Sequence, residues 1–88
     1  MKQEIIDIIN KDFSEDERAF VIEQLSSIKL THVMVESEMN LENTLFSILR
    51  LANGNVSDIA ELTEVAKIDF RDVIYWTSLL PQKNIINK

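Results

Sequence analysis

Residues 38–55, EMNLENTLFSILRLANGN, contain the clearest structural signal in the chain. Apolar residues recur there at steps of three and four, which is the spacing of one buried helix face. The members of this face are Leu41, Leu45, Ile48, Leu49 and Ala52. Gly54 directly follows Asn53 and supplies the left-handed conformation that commonly ends a helix. The stretch therefore predicts a helix over about residues 38–53.

The same spacing continues towards the N-terminus. A first helix is predicted over about residues 3–11, and a second begins after Ser14. The hydroxyl of Ser14 and the carboxylate of Glu17, three residues later, match the capping-box pattern. The predicted buried residues of these two helices are Ile5, Ile8, Ile9, Val21, Ile22, Leu25 and Ile28.

Two more helices are predicted towards the C-terminus. Asn55 or Ser57 caps a helix over about residues 56–67, and Asp69 caps a short last helix. The predicted buried residues of the first of these are Ile59, Leu62, Val65 and Ala66. Pro81 and the residues after it form a predicted polar tail, 81–88.

Residues 30–37 allow two interpretations. Thr31, Val33 and Val35 are β-branched and roughly alternate, which favours an extended connector. The buried face of the second helix could instead continue through His32 and Val35 as a longer helix. We favour an irregular link.

The composition limits the fold class. The chain has 88 residues, of which 45% are hydrophobic, and it has one Gly and one Pro. So few turn residues disfavour a β-rich fold. We predict a single all-α domain over residues 1–80, a compact bundle of four to five short helices without a sheet.

The charge and the absence of cysteine limit location and partners. Fifteen acidic against nine basic residues give a net charge of −6, which repels phosphate and disfavours nucleic acid as a partner. Glu4 and Asp7 interrupt the first apolar run, and no stretch approaches the roughly 18 apolar residues of a membrane span. Together with the lack of Cys, this favours a cytoplasmic protein without membrane contact.

Candidate catalytic and metal-binding groups are few. His32 is the only His and the chain has no Cys, so a Cys-His arrangement cannot form, and a solvated or capping role is expected for His32. Glu36, Glu38 and Glu42 are a possible carboxylate cluster, but a solvated face explains them better. We therefore predict a non-catalytic protein without metal or cofactor.

Residues 66–76, AKIDFRDVIYW, mix aromatic and charged side chains and contain the only Tyr and the only Trp. Helical spacing directs three apolar side chains inward, namely Phe70, Val73 and Ile74. Arg71, Tyr75 and Trp76 form a possible contact surface, because these three residue types are enriched at interface hot spots. Trp76 is nevertheless expected to be mostly buried. Arg71 is expected to stack on Tyr75 or to pair with Asp72 or Glu64.

Residues 41–76 resemble a family of small bacterial helical proteins of unassigned function. The shared features are Ile48-Leu49-Arg50-Leu51, the break at Gly54-Asn55, Ala66-Lys67, and Asp69-Phe70-Arg71-Asp72-Val73-Ile74. The resemblance implies an all-α domain of bacterial origin. It implies no activity, ligand or partner.

The predicted function is a protein-interaction or regulatory module whose partner is another protein or a second copy in a homodimer. One alternative is a small-molecule or lipid binder with a pocket between helices and with Tyr75 and Trp76 at its mouth. A second alternative is a helix-turn-helix over residues 56–80 that binds DNA. Its second helix would offer two carboxylates, Asp69 and Asp72, against one guanidinium, which fits phosphates and base edges poorly.

Overall fold

The computed structural model describes residues 1–32 and 37–80, and in these residues it contains five α-helices, one 3₁₀ turn and no strand. The helices are α1 Gln3–Asp12, α2 Glu15–Ser26, α3 Glu38–Ala52, α4 Val56–Ile68 and α5 Phe70–Ser78. The predicted all-α bundle of short helices is thereby confirmed. The predicted polar tail, 81–88, lies outside the described residues.

Helices α3 and α4 together form the centre of the bundle, since they pack against each other and both pack against α5. Helix α3 also packs against α1, while α2 packs against α1 and α4. The predicted face of α3 is buried, except that Leu41 is only half-buried. The core consists of Ile5, Ile9, Phe13, Val21, Leu25, Ile28, Leu45, Ile48, Leu49, Ala52, Ile59, Ala66 and Val73. Burial of this apolar set is the main favourable term for folding.

The helix starts follow the predicted caps. The Ser14 backbone N–H donates to the Glu17 carboxylate at 3.3 Å, as a capping box requires. Of the two candidates for α4, Asn55 is the cap: its side-chain oxygen accepts from the N–H groups of Ser57 and Asp58 at 2.9 and 3.3 Å. These bonds satisfy amides that the first turn of a helix leaves free.

Two consecutive residues with left-handed backbone geometry, and not Gly54 alone, follow the end of α3. Asn53 already has left-handed backbone geometry, with φ 48°, and Gly54 follows with φ 84°. A Cβ atom on Gly54 would lie 3.2 Å from the carbonyl oxygen of Asp12, at the end of α1. Gly54 therefore permits both the turn into α4 and its close approach to α1.

The link from α2 to α3 is irregular where it is described. Helix α2 ends at Ser26, and a 3₁₀ turn spans Leu30–His32, so the interpretation that α2 continues through His32 is wrong. The His32 Nδ1 atom accepts a hydrogen bond from the Lys29 N–H at 2.8 Å, which agrees with the expected capping role. Residues 33–36 lie outside the described residues, and Ser37 then caps α3.

One stabilising contact was not predicted from the sequence. The Arg18 guanidinium of α2 donates from Nε to the carbonyl oxygen of Phe13 at 3.1 Å and from Nη2 to that of Asn10 at 3.0 Å. Both acceptors belong to the C-terminal end of α1, where helix carbonyls lack internal partners. A cation is also favoured there by the helix dipole, so Arg18 fixes the corner between α1 and α2.

A candidate contact surface on the last helix

Helices α4 and α5 meet at a single residue, Asp69. Its backbone is extended, with φ −154°, and its Oδ1 atom accepts from the Arg71 N–H at 3.1 Å, so Asp69 caps α5 as predicted. The turn of a helix-turn-helix has about three to four residues. The one-residue joint in this chain is shorter, and the structure therefore adds no support to the DNA-binding alternative.

Arg71 forms its salt bridge with Asp69, while its predicted partner Asp72 contributes only a weaker electrostatic attraction. Its Nε atom donates to Oδ1 at 2.9 Å and its Nη2 atom to Oδ2 at 3.0 Å, while the Arg71 side chain stays 63% exposed. These hydrogen bonds hold the pKa of the Asp69 carboxyl below its ordinary value and raise the pKa of the guanidinium. Glu64, one of the predicted partners, pairs instead with Lys67 at 3.7 Å.

The inner face of α5 fixes this helix to the bundle. Phe70 and Val73 are buried and Ile74 is half-buried, so the predicted inward set is confirmed. The Thr77 hydroxyl lies 2.8 Å from the Val73 carbonyl oxygen and 3.3 Å from that of Ser47 in α3. Helix α5 is thus held to α3 by apolar packing and by a polar contact.

The outer face of α5 is exposed and partly apolar. Tyr75 is 62% exposed, Trp76 39% and Leu79 64%. We define the α5 outer face as the set Arg71, Asp72, Tyr75, Trp76 and Leu79. Their spacings of three and four place them together on the helix.

Trp76, which we expected to be mostly buried, is 39% exposed and does not belong to the buried core cluster. Trp76 follows Val73 by three residues, so it lies at the flank of the buried face and not at its centre. Leu45, Ile48 and Leu49 of α3 belong to the same buried core cluster as Val73. Part of Trp76 is therefore exposed beside Tyr75 on the outer side of α5.

The other candidate groups make ordinary surface contacts. Glu42 pairs with Lys2 at 3.4 Å, and this contact raises the pKa of the Lys2 ammonium. Glu38 is exposed at the start of α3, and Glu36 lies outside the described residues. Within the described residues, no three His, Asp or Glu side chains group in a way that could hold a metal ion. Among these residues, too, no helix has the length and apolar character that crossing a membrane requires.

An apolar pocket does exist between helices, but away from α5. It has a volume of about 490 Å³ and is open to solvent. Its apolar lining comes from the first residue, from α2 and the 3₁₀ turn, and from α3, namely Met1, Leu25, Ile28, Leu30, Leu41 and Leu45. Tyr75 and Trp76 do not line this pocket, so it differs from the pocket expected beside these two residues.

Comparison with known proteins adds no relative: no protein-family model, curated protein or solved structure matches the chain. The resemblance of residues 41–76 to a family of small bacterial helical proteins stays a prediction. Any functional assignment therefore depends on the chain's own geometry.

Proposed function

We propose that this chain is a non-catalytic interaction module that binds a protein partner through the α5 outer face. The observation that carries the proposal is the exposure of Tyr75, Trp76 and Leu79 side by side on a helix whose opposite face is firmly packed. A cytoplasmic location agrees with the absence of Cys.

The residue types of this face support binding. Trp, Tyr and Arg are the residues enriched at interface hot spots, and all three occur here within six positions of the chain. These side chains have little conformational freedom to lose. Tyr and Trp have two side-chain torsions each, and the Arg71 side chain is already held by its salt bridge to Asp69. Little conformational entropy is lost when such side chains are covered.

The size of the face also supports binding. Given their exposed fractions, Tyr75, Trp76 and Leu79 leave roughly 350 Å² accessible, which is within the range of the largest apolar patch on a typical monomer. Patches of this size on soluble monomers are often functional.

Site-specific photo-crosslinking tests the proposal. A benzophenone amino acid replaces Tyr75 in the full chain, expressed in its native cell, and a matched sample carries it at Phe20, an aromatic residue of α2 that is 41% exposed. We expect discrete protein adducts from position 75 and only background from position 20. Equal or absent adducts at the two positions would show that the α5 outer face is not a contact surface.

The apolar pocket favours a second candidate function, the binding of a small apolar ligand. A volume of about 490 Å³ with mainly leucine and isoleucine lining is typical of a ligand site. Titration calorimetry with decanoate is a direct test, with Leu41→Gln as the pocket variant and Phe46→Gln as the control on the same helix. Both residues are half-buried, and only Leu41 lines this pocket. Binding that Leu41→Gln leaves unchanged, or no binding at all, would remove this candidate.

A further inference from the structure

We infer that the partner covering the α5 outer face is a second copy of this chain, with the two α5 helices packed antiparallel across a twofold axis. The inference rests on the proposed function, since it names the partner for the same surface. Three properties of α5 lead to it: its charge, the position of its only cation and the area that it exposes.

The charge of α5 differs from that of every other helix. Within its bounds, α5 has one acid, Asp72, and one base, Arg71, so its net charge is zero. Each of the other described helices has one base and more than one acid. The number of acids is three in α1, four in α2, two in α3 and three in α4. The capping residue Asp69 adds one acid at the start of α5, so the helix with its cap has a net charge of −1, as low in magnitude as that of α3. In a chain of net charge −6, two copies therefore repel each other only weakly through α5.

The position of Arg71 gives α5 a complementarity to itself. Arg71 lies in the first turn, where its own helix dipole disfavours a cation, and the last turn of α5 contains no base. In an antiparallel pair, the guanidinium of each copy lies near the carbonyl end of the other α5. The Asp69 pair uses Nε and Nη2, and within the described residues Nη1 makes no hydrogen bond, so Nη1 is available as a donor.

The order of side chains along the face suits the same arrangement. Tyr75 and Trp76 lie near the middle of the face, so a twofold axis there places each aromatic pair against the same pair of the second copy. The aliphatic stem of Arg71 then lies beside Leu79 of the second copy, and it covers apolar surface while its head stays polar. Aromatic pairs contribute beyond their buried area.

The area is sufficient for a specific dimer. Adding the exposed parts of Arg71 and Asp72 to the three apolar side chains gives roughly 600 Å² per copy, or about 1,200 Å² for the pair. This total is at the lower end of stable specific interfaces. Ile68, at the joint between α4 and α5, is also exposed, and it is close enough in sequence to extend the rim of the proposed dimer interface.

Sedimentation equilibrium of the purified full chain tests the dimer. Wild type is compared with Trp76→Ala and with Phe20→Ala, a matched control because the two aromatic side chains are 39% and 41% exposed. We expect a reversible dimer for wild type and Phe20→Ala between about 1 µM and 1 mM, and at least a roughly tenfold weaker dimer for Trp76→Ala. Tyr75→Ala is the second face variant, and circular dichroism shows that each variant is folded.

The outcomes separate this inference from the proposed function. A wild-type chain that stays monomeric at the highest concentration, or a dimer that neither Trp76→Ala nor Tyr75→Ala weakens, would overturn the α5 dimer. The proposed function would survive that result if photo-crosslinking at position 75 still gave adducts with a different protein. Adducts of twice the monomer mass would instead support the dimer.

Discussion

Arg71 combines two roles at the start of α5. Through Nε and Nη2 it neutralises the capping carboxylate of Asp69, and the rest of its guanidinium faces solvent. The Asp69–Arg71 pair therefore orients the side chain that the α5 outer face presents at its N-terminal end. Both groups are at the surface, so salt screens their attraction and the effect on overall stability is small.

The pKa of Asp69 reports this pair directly. Because the folded-state pKa lies below the unfolded value of about 3.9, the pair stabilises the fold above that value, and the effect is lost as pH falls through the folded value. We expect Arg71→Gln to raise the pKa of Asp69 towards 3.9. An NMR titration that follows the carboxyl chemical shift of Asp69 measures this pKa. Lys67→Gln is the charge-matched control. An Asp69 pKa that is the same in wild type and Arg71→Gln would contradict the pair.

Thr63 is a second residue whose surroundings lead to a testable prediction, in this case about stability. It is fully buried in α4, and within the described residues its hydroxyl has no hydrogen-bond partner. An unsatisfied buried hydroxyl is unfavourable, and Val has nearly the same shape without the polar atom. We expect Thr63→Val to raise the free energy of unfolding by about 1 kcal/mol in urea denaturation. Thr44→Val is the contrasting control, because the Thr44 hydroxyl does donate, to the Asn40 carbonyl at 2.7 Å. A less stable Thr63→Val protein would mean that the hydroxyl is satisfied.

At the scale of elements, the turn between α3 and α4 decides how the helices meet. Two consecutive residues with positive φ, Asn53 and Gly54, reverse the chain, and the second lies against the end of α1. Only Gly is free of steric cost in this conformation, and Asn tolerates it better than most residues. The turn therefore couples the end of α3 to the position of α1.

The two positions of this turn should differ in how strongly they respond to substitution. Gly54→Ala adds a Cβ 3.2 Å from the Asp12 carbonyl oxygen at φ 84°, and we expect it to lower the free energy of unfolding by about 1–2 kcal/mol. Asn53→Gly relieves left-handed strain but increases the entropy of the unfolded chain, so a change below about 0.5 kcal/mol is expected. Thermal denaturation of both variants checks this. A Gly54→Ala protein as stable as wild type would show that the turn is not constrained.

Elements with local signals could be predicted from the sequence, and those that depend on tertiary contacts could not. The caps Ser14, Asn55 and Asp69 lie within three residues of the amides they satisfy, so their patterns are visible in the sequence. Arg18 reaches back eight residues to Asn10, which no local rule specifies. The Arg71 pair with Asp69 is local, but its choice over Asp72 and Glu64 depends on the extended backbone of Asp69.

At the scale of the whole molecule, the residues that the structure describes leave the outer face of α5 exposed. Helical spacing identified Arg71, Tyr75 and Trp76 as a group, but it could not decide whether Trp76 faces the core. That depended on how α5 packs against α3, because this packing decides which side chains of α5 join the buried core cluster. A domain of this size buries only about 60% of its unfolded surface, so covering a further apolar face by association would add stability.

The fluorescence of Trp76 tests the central claim most directly, because the chain has only one Trp and it lies on the α5 outer face. Acrylamide quenching of the full chain is measured across a dilution series that spans the dimer equilibrium. If a second copy covers Trp76, quenching should be strong in dilute protein and should fall at least about twofold at high concentration, with a blue-shifted emission maximum. Quenching and emission that do not change with concentration would contradict the claim.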